Sequence, residues 1–132
     1  MAGSEMPRPR ILVVDDERDT RKLVRITLER DGYTVCEAAN GEEALALAGA
    51  ESFDLVILDV MMPRLSGYDV CRQLKERPDT SQIPVIFLSA RGQSGEIREG
   101  IEAGGVAYIV KPFSIRELTL QVSRVLAGMK SS

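Results

Sequence analysis

The sequence predicts an α/β domain: a five-stranded parallel sheet, doubly wound, with helices on both faces. Three observations carry that prediction. Short apolar runs alternate with charged amphipathic stretches along the whole chain. Four of the runs, Ile11-Leu12-Val13-Val14, Leu55-Val56-Ile57-Leu58, Val85-Ile86-Phe87-Leu88 and Ala107-Tyr108-Ile109-Val110, are continuous rather than alternating, as in strands covered on both faces. The segments between them are long enough for one crossover helix each and little more, which with right-handed crossovers gives a two-sided sandwich. At 132 residues, 44% hydrophobic and 28% charged, the chain fits one ordinary domain with a real core.

Each element has a local reason. Residues 1–9, with Gly3, Ser4, Pro7 and Pro9, read as a flexible tail before a domain spanning 10–128, and 129–132 as a second short tail. After the first strand comes an amphipathic stretch carrying Leu23, Val24, Ile26 and Leu28, closed near Asp31-Gly32. Tyr33 to Ala38 is β-branched but mixed, with Thr34 and Glu37 among apolar neighbours, and belongs at a sheet edge. Asn40 with Glu43 has the spacing of a helix capping box, and so has Ser114 with Glu117. Pro63 and Gly67 mark a loop before a helix holding Tyr68, Val70, Cys71 and Leu74. Ile97 and Ile101 sit four apart on a short helix. Ile115, Leu118, Val122, Val125 and Met129 form a helical stripe for core packing.

Composition removes whole classes of function. A net charge of −3 offers no bulk attraction for nucleic acid. No apolar run approaches the roughly 20 residues of a membrane span, and the N-terminus lacks the apolar core of a signal peptide. Cys36 and Cys71 match no metal spacing or disulfide framework and read as small core residues, so a reducing cytoplasmic setting is expected. The chain has no histidine. Catalytic triads, Cys-His pairs and histidine-ligated zinc are excluded.

The remaining chemistry lies immediately after the strands. The first ends in Asp15-Asp16, the third in Asp59, the fourth in Ser89 and the fifth in Lys111. Parallel strands bring these residues to one edge, where open α/β sheets build their sites. Three carboxylates repel one another and call for a cation. All-oxygen ligands with room for water favour Mg²⁺ over Ca²⁺. Such a cation, a lysine and a hydroxyl around one carboxylate suit phosphoryl transfer, with the carboxylate as nucleophile. Taken singly, each residue has a plainer reading: Asp15-Asp16 as a helix cap, Asp59 as a turn residue, Ser89 as structural and Lys111 as a solvated lysine. The joint placement favours the site.

The motifs are Val13-Val14-Asp15-Asp16-Glu17, Asp54 through Pro63, Gly67-Tyr68, Ile83-Pro84 through Ala90, and Lys111-Pro112-Phe113. With these the chain resembles the receiver domain of two-component response regulators over about Arg10 to Leu126. The resemblance implies a flavodoxin-like (βα)5 sandwich with strand order 2-1-3-4-5. It implies Asp59 as phosphoacceptor and Asp15, Asp16, Asp59 and the Met61 backbone carbonyl around Mg²⁺, with Asp15 acting largely through metal-bound water. Ser89 and Lys111 would bind phosphoryl oxygens, after a cis Lys111-Pro112 bond. Tyr108 would turn inward as Ser89 moves, and Met61 and Arg91 would tune the lifetime of the phosphoryl group. The donor would be a phosphohistidine on a histidine kinase or phosphotransfer protein, necessarily another molecule. The domain would catalyse its own phosphorylation and slow dephosphorylation, with signalling to a downstream effector protein or domain through an α4-β5-α5 face as its role.

Two departures from the family pattern stand out. Gly104-Gly105-Val106-Ala107 lacks the acidic pair many members carry before the switch aromatic, and Ser89 replaces the commoner threonine. The first leaves Arg116 and Arg124 without acidic partners for a charge-paired dimer and favours a stand-alone or non-DNA-binding regulator. Two other functions compete: a degenerate receiver serving as a constitutive docking module, and a hydrolase or phosphatase on a similar sheet, which would need a substrate pocket that no extra loop supplies.

Overall fold

The computed structural model describes residues 8–90 and 94–130. Arg91 lies outside these, as do most of the N-terminal tail and the last two residues. Five strands alternate with five helices: β1 (Arg10–Val14), α1 (Arg18–Arg30), β2 (Thr34–Ala38), α2 (Gly41–Ala50), β3 (Leu55–Asp59), α3 (Gly67–Glu76), β4 (Val85–Ser89), α4 (Ser94–Glu102), β5 (Ala107–Val110) and α5 (Ile115–Lys130). Helix α5 therefore runs two residues past the boundary placed at 128. The sheet is wholly parallel in the order β2-β1-β3-β4-β5. Strand order reverses between β1 and β3, which is where this architecture opens a crevice at the carboxyl ends.

Strand periodicity divides the core. Ile11, Val13, Ile57, Ile86, Leu88 and Ile109 face α1 and α5, packing on Val24, Leu28, Leu118, Val122 and Leu126. Their alternates Leu12, Val14, Val56, Leu58, Val85 and Phe87 face the other way, onto α2, α3 and Ala103. All five residues of β3 and of β4 are buried. Burying a side chain of the Val, Leu or Phe class contributes about 1.5–3 kcal/mol, so these strands anchor the domain.

Several expectations are corrected. β5 is not covered on both faces: it is the second edge strand, and Val110 is 38% exposed. On α1, Leu23 and Ile26 point to solvent and Thr27 takes a buried place beside Val24 and Leu28. Ile101 on α4 and Ile115 on α5 are likewise exposed, whereas Leu126 completes the α5 stripe. Asn40 caps α2 by accepting from the Glu43 amide, but the Glu43 carboxylate reaches Ala39 rather than the cap residue. A full capping box occurs instead at Ser66 and Asp69, at the start of α3.

Two glycines are required by close approach. A Cβ on Gly67 would come within 2.3 Å of the Asp59 carbonyl oxygen, so only glycine lets α3 start against the end of β3. At Gly105 a Cβ would meet the Phe87 ring at 2.4 Å. The glycine in the Gly104-Gly105-Val106-Ala107 segment thus accommodates the large aromatic on β4.

Candidate functional site

The strand-end residues meet at one edge. Asp59 closes β3 and Ser89 closes β4, while Asp15 follows β1 and Lys111 follows β5. Backbone bonds fix these junctions: the Asp15 amide donates to Ala38 O (3.2 Å), Val60 to Leu88 O (2.9 Å) and Lys111 to Ser89 O (2.7 Å). The β3–α3 loop is tied back by the Gly67 amide to Val60 O at 2.9 Å. The Lys111-Pro112 peptide is cis.

Asp15, Asp59 and Ser89 are buried and Asp16 is exposed. One carboxylate oxygen from each of Asp15, Asp16 and Asp59 lies within 4.8 Å of the others. Lys111 Nζ donates to Asp15 Oδ2 at 3.0 Å and to Asp59 Oδ1 at 3.4 Å, and stands 3.7 Å from Glu17 Oε1. The other Asp15 oxygen accepts from the Glu17 amide at 2.8 Å. Asp15 therefore serves the turn into α1 as well as the cluster, but not as the helix cap of the plainer reading. The N-cap residue of α1 is Glu17, and no side chain caps the helix there.

One ammonium faces two buried carboxylates. Burial and then the Asp15 charge push the Asp59 carboxyl up to about 7, against the pull of Lys111. The Lys111 ammonium is held above its ordinary range by Asp15 and Asp59, against its own desolvation. This imbalance is what a cation relieves. Around a hard cation with ligands at about 2.1 Å, octahedral oxygens lie about 3.0–4.2 Å apart; the three carboxylates approach that spacing and fit Mg²⁺. Met61, two residues beyond Asp59, has a side chain 53% exposed beside the loop.

Two further side chains join this edge that the strand-end logic did not reveal. Glu17 adds its carboxylate to the Lys111 environment. Tyr68 is buried on α3 and its hydroxyl lies 3.1 Å from the Tyr108 hydroxyl. Burial and that contact push the Tyr68 phenol well above its ordinary range, so it stays protonated. Its spacing with Val70, Cys71 and Leu74 reads as plain helix core. The only hint in the sequence is a polar tip on an apolar face.

The family model of the response regulator receiver domain matches residues 11–123. The chain belongs to the response regulator receiver domain family. Transcriptional regulatory protein ResD of Bacillus subtilis is 48% identical over 117 residues, which cover 89% of this chain and 48% of that protein. The structure of Vibrio cholerae chemotaxis protein CheY4 is 33% identical with a TM-score of 0.86, covering 89% of this chain and 98% of that chain. The signal receiver domain of a signal transduction histidine kinase from Syntrophus aciditrophicus is 35% identical with a TM-score of 0.86, covering 94% of each chain. The chain spans about half the length of the curated relatives it matches. Among the described residues no helix is long and apolar enough to cross a membrane.

Proposed function

We propose that this receiver domain is a phosphorylation-activated switch whose acceptor is Asp59. An Asp59 carboxylate oxygen attacks the phosphorus of a phosphohistidine in line, the P–N bond breaks, and its electron pair stays on the imidazole of the donor. The observation that carries this reading is the meeting of Asp15, Asp16 and Asp59 within 4.8 Å around a shared lysine. Asp15, Asp16, Asp59 and the Met61 carbonyl would hold Mg²⁺, which supplies neutralising charge for the phosphoryl oxygens. Lys111 pairs with one phosphoryl oxygen and Ser89 hydrogen-bonds another. Tyr108 then follows Ser89. Met61 and Arg91, two residues beyond Asp59 and Ser89 in the sequence, tune how long the acyl phosphate lasts.

Partners follow from the surfaces. A cleft of about 360 Å³ beside the site is lined by Thr20, Leu23, Ala90, Lys111, Pro112 and Phe113. Its apolar walls suit a histidine kinase or phosphotransfer protein that must bring a phosphohistidine to Asp59. Exposed large apolar side chains concentrate from α4 to α5, at Ile101, Val106, Val110, Ile115 and Leu120, which supports an effector protein or domain docking on the α4-β5-α5 face. Glu99 pairs with Arg72 of α3 at 3.5 Å, which speaks against its replacing the acids missing before β5. The complete acidic cluster and its lysine speak against a degenerate docking module.

Incubation with a small phosphoryl donor and Mg²⁺ tests the reading. Intact-mass measurement is expected to show one added phosphoryl group, lost in Asp59→Asn and in EDTA. An equal gain in the Asp59→Asn variant would overturn the assignment.

A further inference from the structure

The two edges of the sheet are finished differently. A strand edge presents a row of N–H and C=O groups, and natural sheets blunt such edges with charge. β2 is blunted: its Glu37 pairs with Arg21 at 2.7 Å and with Arg25, and Arg10 reaches Cys36 Sγ at 3.6 Å. β5 carries no charged residue, and neither does Val106 before it. Among the described residues no strand lies beyond β5. Val106 is 57% exposed and Val110 38%, so solvent reaches both ends of this edge.

Two cavities flank this edge. One, of about 90 Å³, opens toward α4 and has Phe87 and Ile101 in its wall. The other, of about 230 Å³, opens toward α5 and is lined by Pro84, Arg124 and Val125. Val106 lines both. Phe87 belongs to the core layer on one face of the sheet and Val125 packs against the layer on the other, so the cavities lie on opposite faces. An added strand meets that arrangement directly: its backbone pairs with the edge and its successive side chains point to opposite faces. Among the described residues Arg124, at the larger cavity, has no carboxylate within ion-pair distance.

We infer that β5 is a docking edge for an extended segment of the effector, which adds beside it as a further strand. The inference rests on the reading that the effector docks on the α4-β5-α5 face. A helix laid on this face would cover the exposed valines but leave the backbone groups of the edge unanswered; an extended backbone answers them. The smaller cavity takes a small apolar side chain, and the larger takes the next residue along, of leucine size or more. An acid stands opposite Arg124, two residues from the larger apolar one, because side chains on one face recur at every second residue. A second copy of β5 does not meet these terms, since Val106 to Val110 offers no acid.

The test selects a random-peptide library displayed on phage against the whole chain, in Mg²⁺ and beryllium fluoride, a phosphoryl mimic. Selected peptides are expected to carry two adjacent apolar residues and an acid two places from the larger, and to shift the Val106 and Val110 amides in NMR. One amide of a selected peptide is then N-methylated at a time. Binding is expected to weaken at least about tenfold at every second position and hardly at all between, because a strand turns alternate N–H groups to its neighbour. Arg124→Ala is expected to cost about threefold, a loss that disappears once the acid of the peptide is replaced by its amide. Val106→Lys sets a charge on the edge and is expected to abolish binding. Peptides that map to this face but show no alternation on methylation, or that keep full affinity for Val106→Lys, would overturn the inference and leave the docking reading standing. No binder, or binders that map away from α4, β5 and α5, would overturn both.

Discussion

Replacing Asp59 with Asn is expected to stabilise the metal-free protein at neutral pH while removing its acceptor. Asp15 and Asp59 are buried side by side with Lys111 shared between them. The Asp59 carboxyl rises from 3.8 to about 7, first through burial and then through Asp15. The folded chain therefore binds more protons than the unfolded chain between those two values. Its stability falls as pH rises across that window and stays low above it. A rise of that size corresponds to at most about 4 kcal/mol. With a urea slope of about 1–3 kcal/mol per molar, Asp59→Asn should raise the midpoint at pH 8 by at most about 1–4 M. The assay is urea unfolding followed by circular dichroism at pH 5 and pH 8, in EDTA and in Mg²⁺. Wild type in EDTA should lose stability from pH 5 to pH 8 and regain it at pH 8 with Mg²⁺; Asp59→Asn should do neither. Wild-type stability that is flat or rising with pH in EDTA would refute the reasoning.

Three further predictions follow from individual side chains. Asp16→Asn removes an exposed carboxylate from the cluster of three, and calorimetric titration should show Mg²⁺ affinity reduced at least about tenfold. Arg64 holds a left-handed backbone, φ 69°, in an exposed loop; its ion pair with Glu42 is also exposed and contributes little. Arg64→Gly should therefore raise thermal stability by about 0.5–1 kcal/mol, the relief of that conformation outweighing the lost pair. Gly105→Ala would set a methyl 2.4 Å from the Phe87 ring and should cost about 1–3 kcal/mol in urea unfolding. Adding Phe87→Leu should recover part of that loss, since the smaller side chain vacates the space.

The strand-end residues were legible because each follows a continuous apolar run, and parallel pairing carries all such ends to one edge. Asp15, Asp59, Ser89 and Lys111 needed no long-range information beyond that. The edge character of β5 was not legible, because Ala107 to Val110 is as apolar as a central strand and only the partner count distinguishes them. Leu23, Ile26 and Ile101 show the same limit: an apolar residue on a helix is placed by the rotation of the helix, and a turn of about 100° exchanges Ile26 for Thr27. Arg64 gave no warning, since Pro63-Arg64-Leu65 contains none of the residues that favour a positive φ. The box at Ser66 was hidden because Asp69 replaces the usual Glu or Gln. Tyr68 was hidden because helical spacing accounts for its ring, while its hydroxyl meets Tyr108 on another element.

The central claim is that the phosphoryl group is carried by the Asp59 carboxylate. Borohydride reduces an acyl phosphate to an alcohol, converting a phosphorylated aspartate to homoserine in place. The protein would be phosphorylated with a small donor in Mg²⁺, reduced, digested and mapped by mass spectrometry. Homoserine at position 59 and at no other aspartate is the predicted result. Homoserine at position 15 or 16, or stable phosphate on Ser89 with Asp59 unmodified, would contradict it.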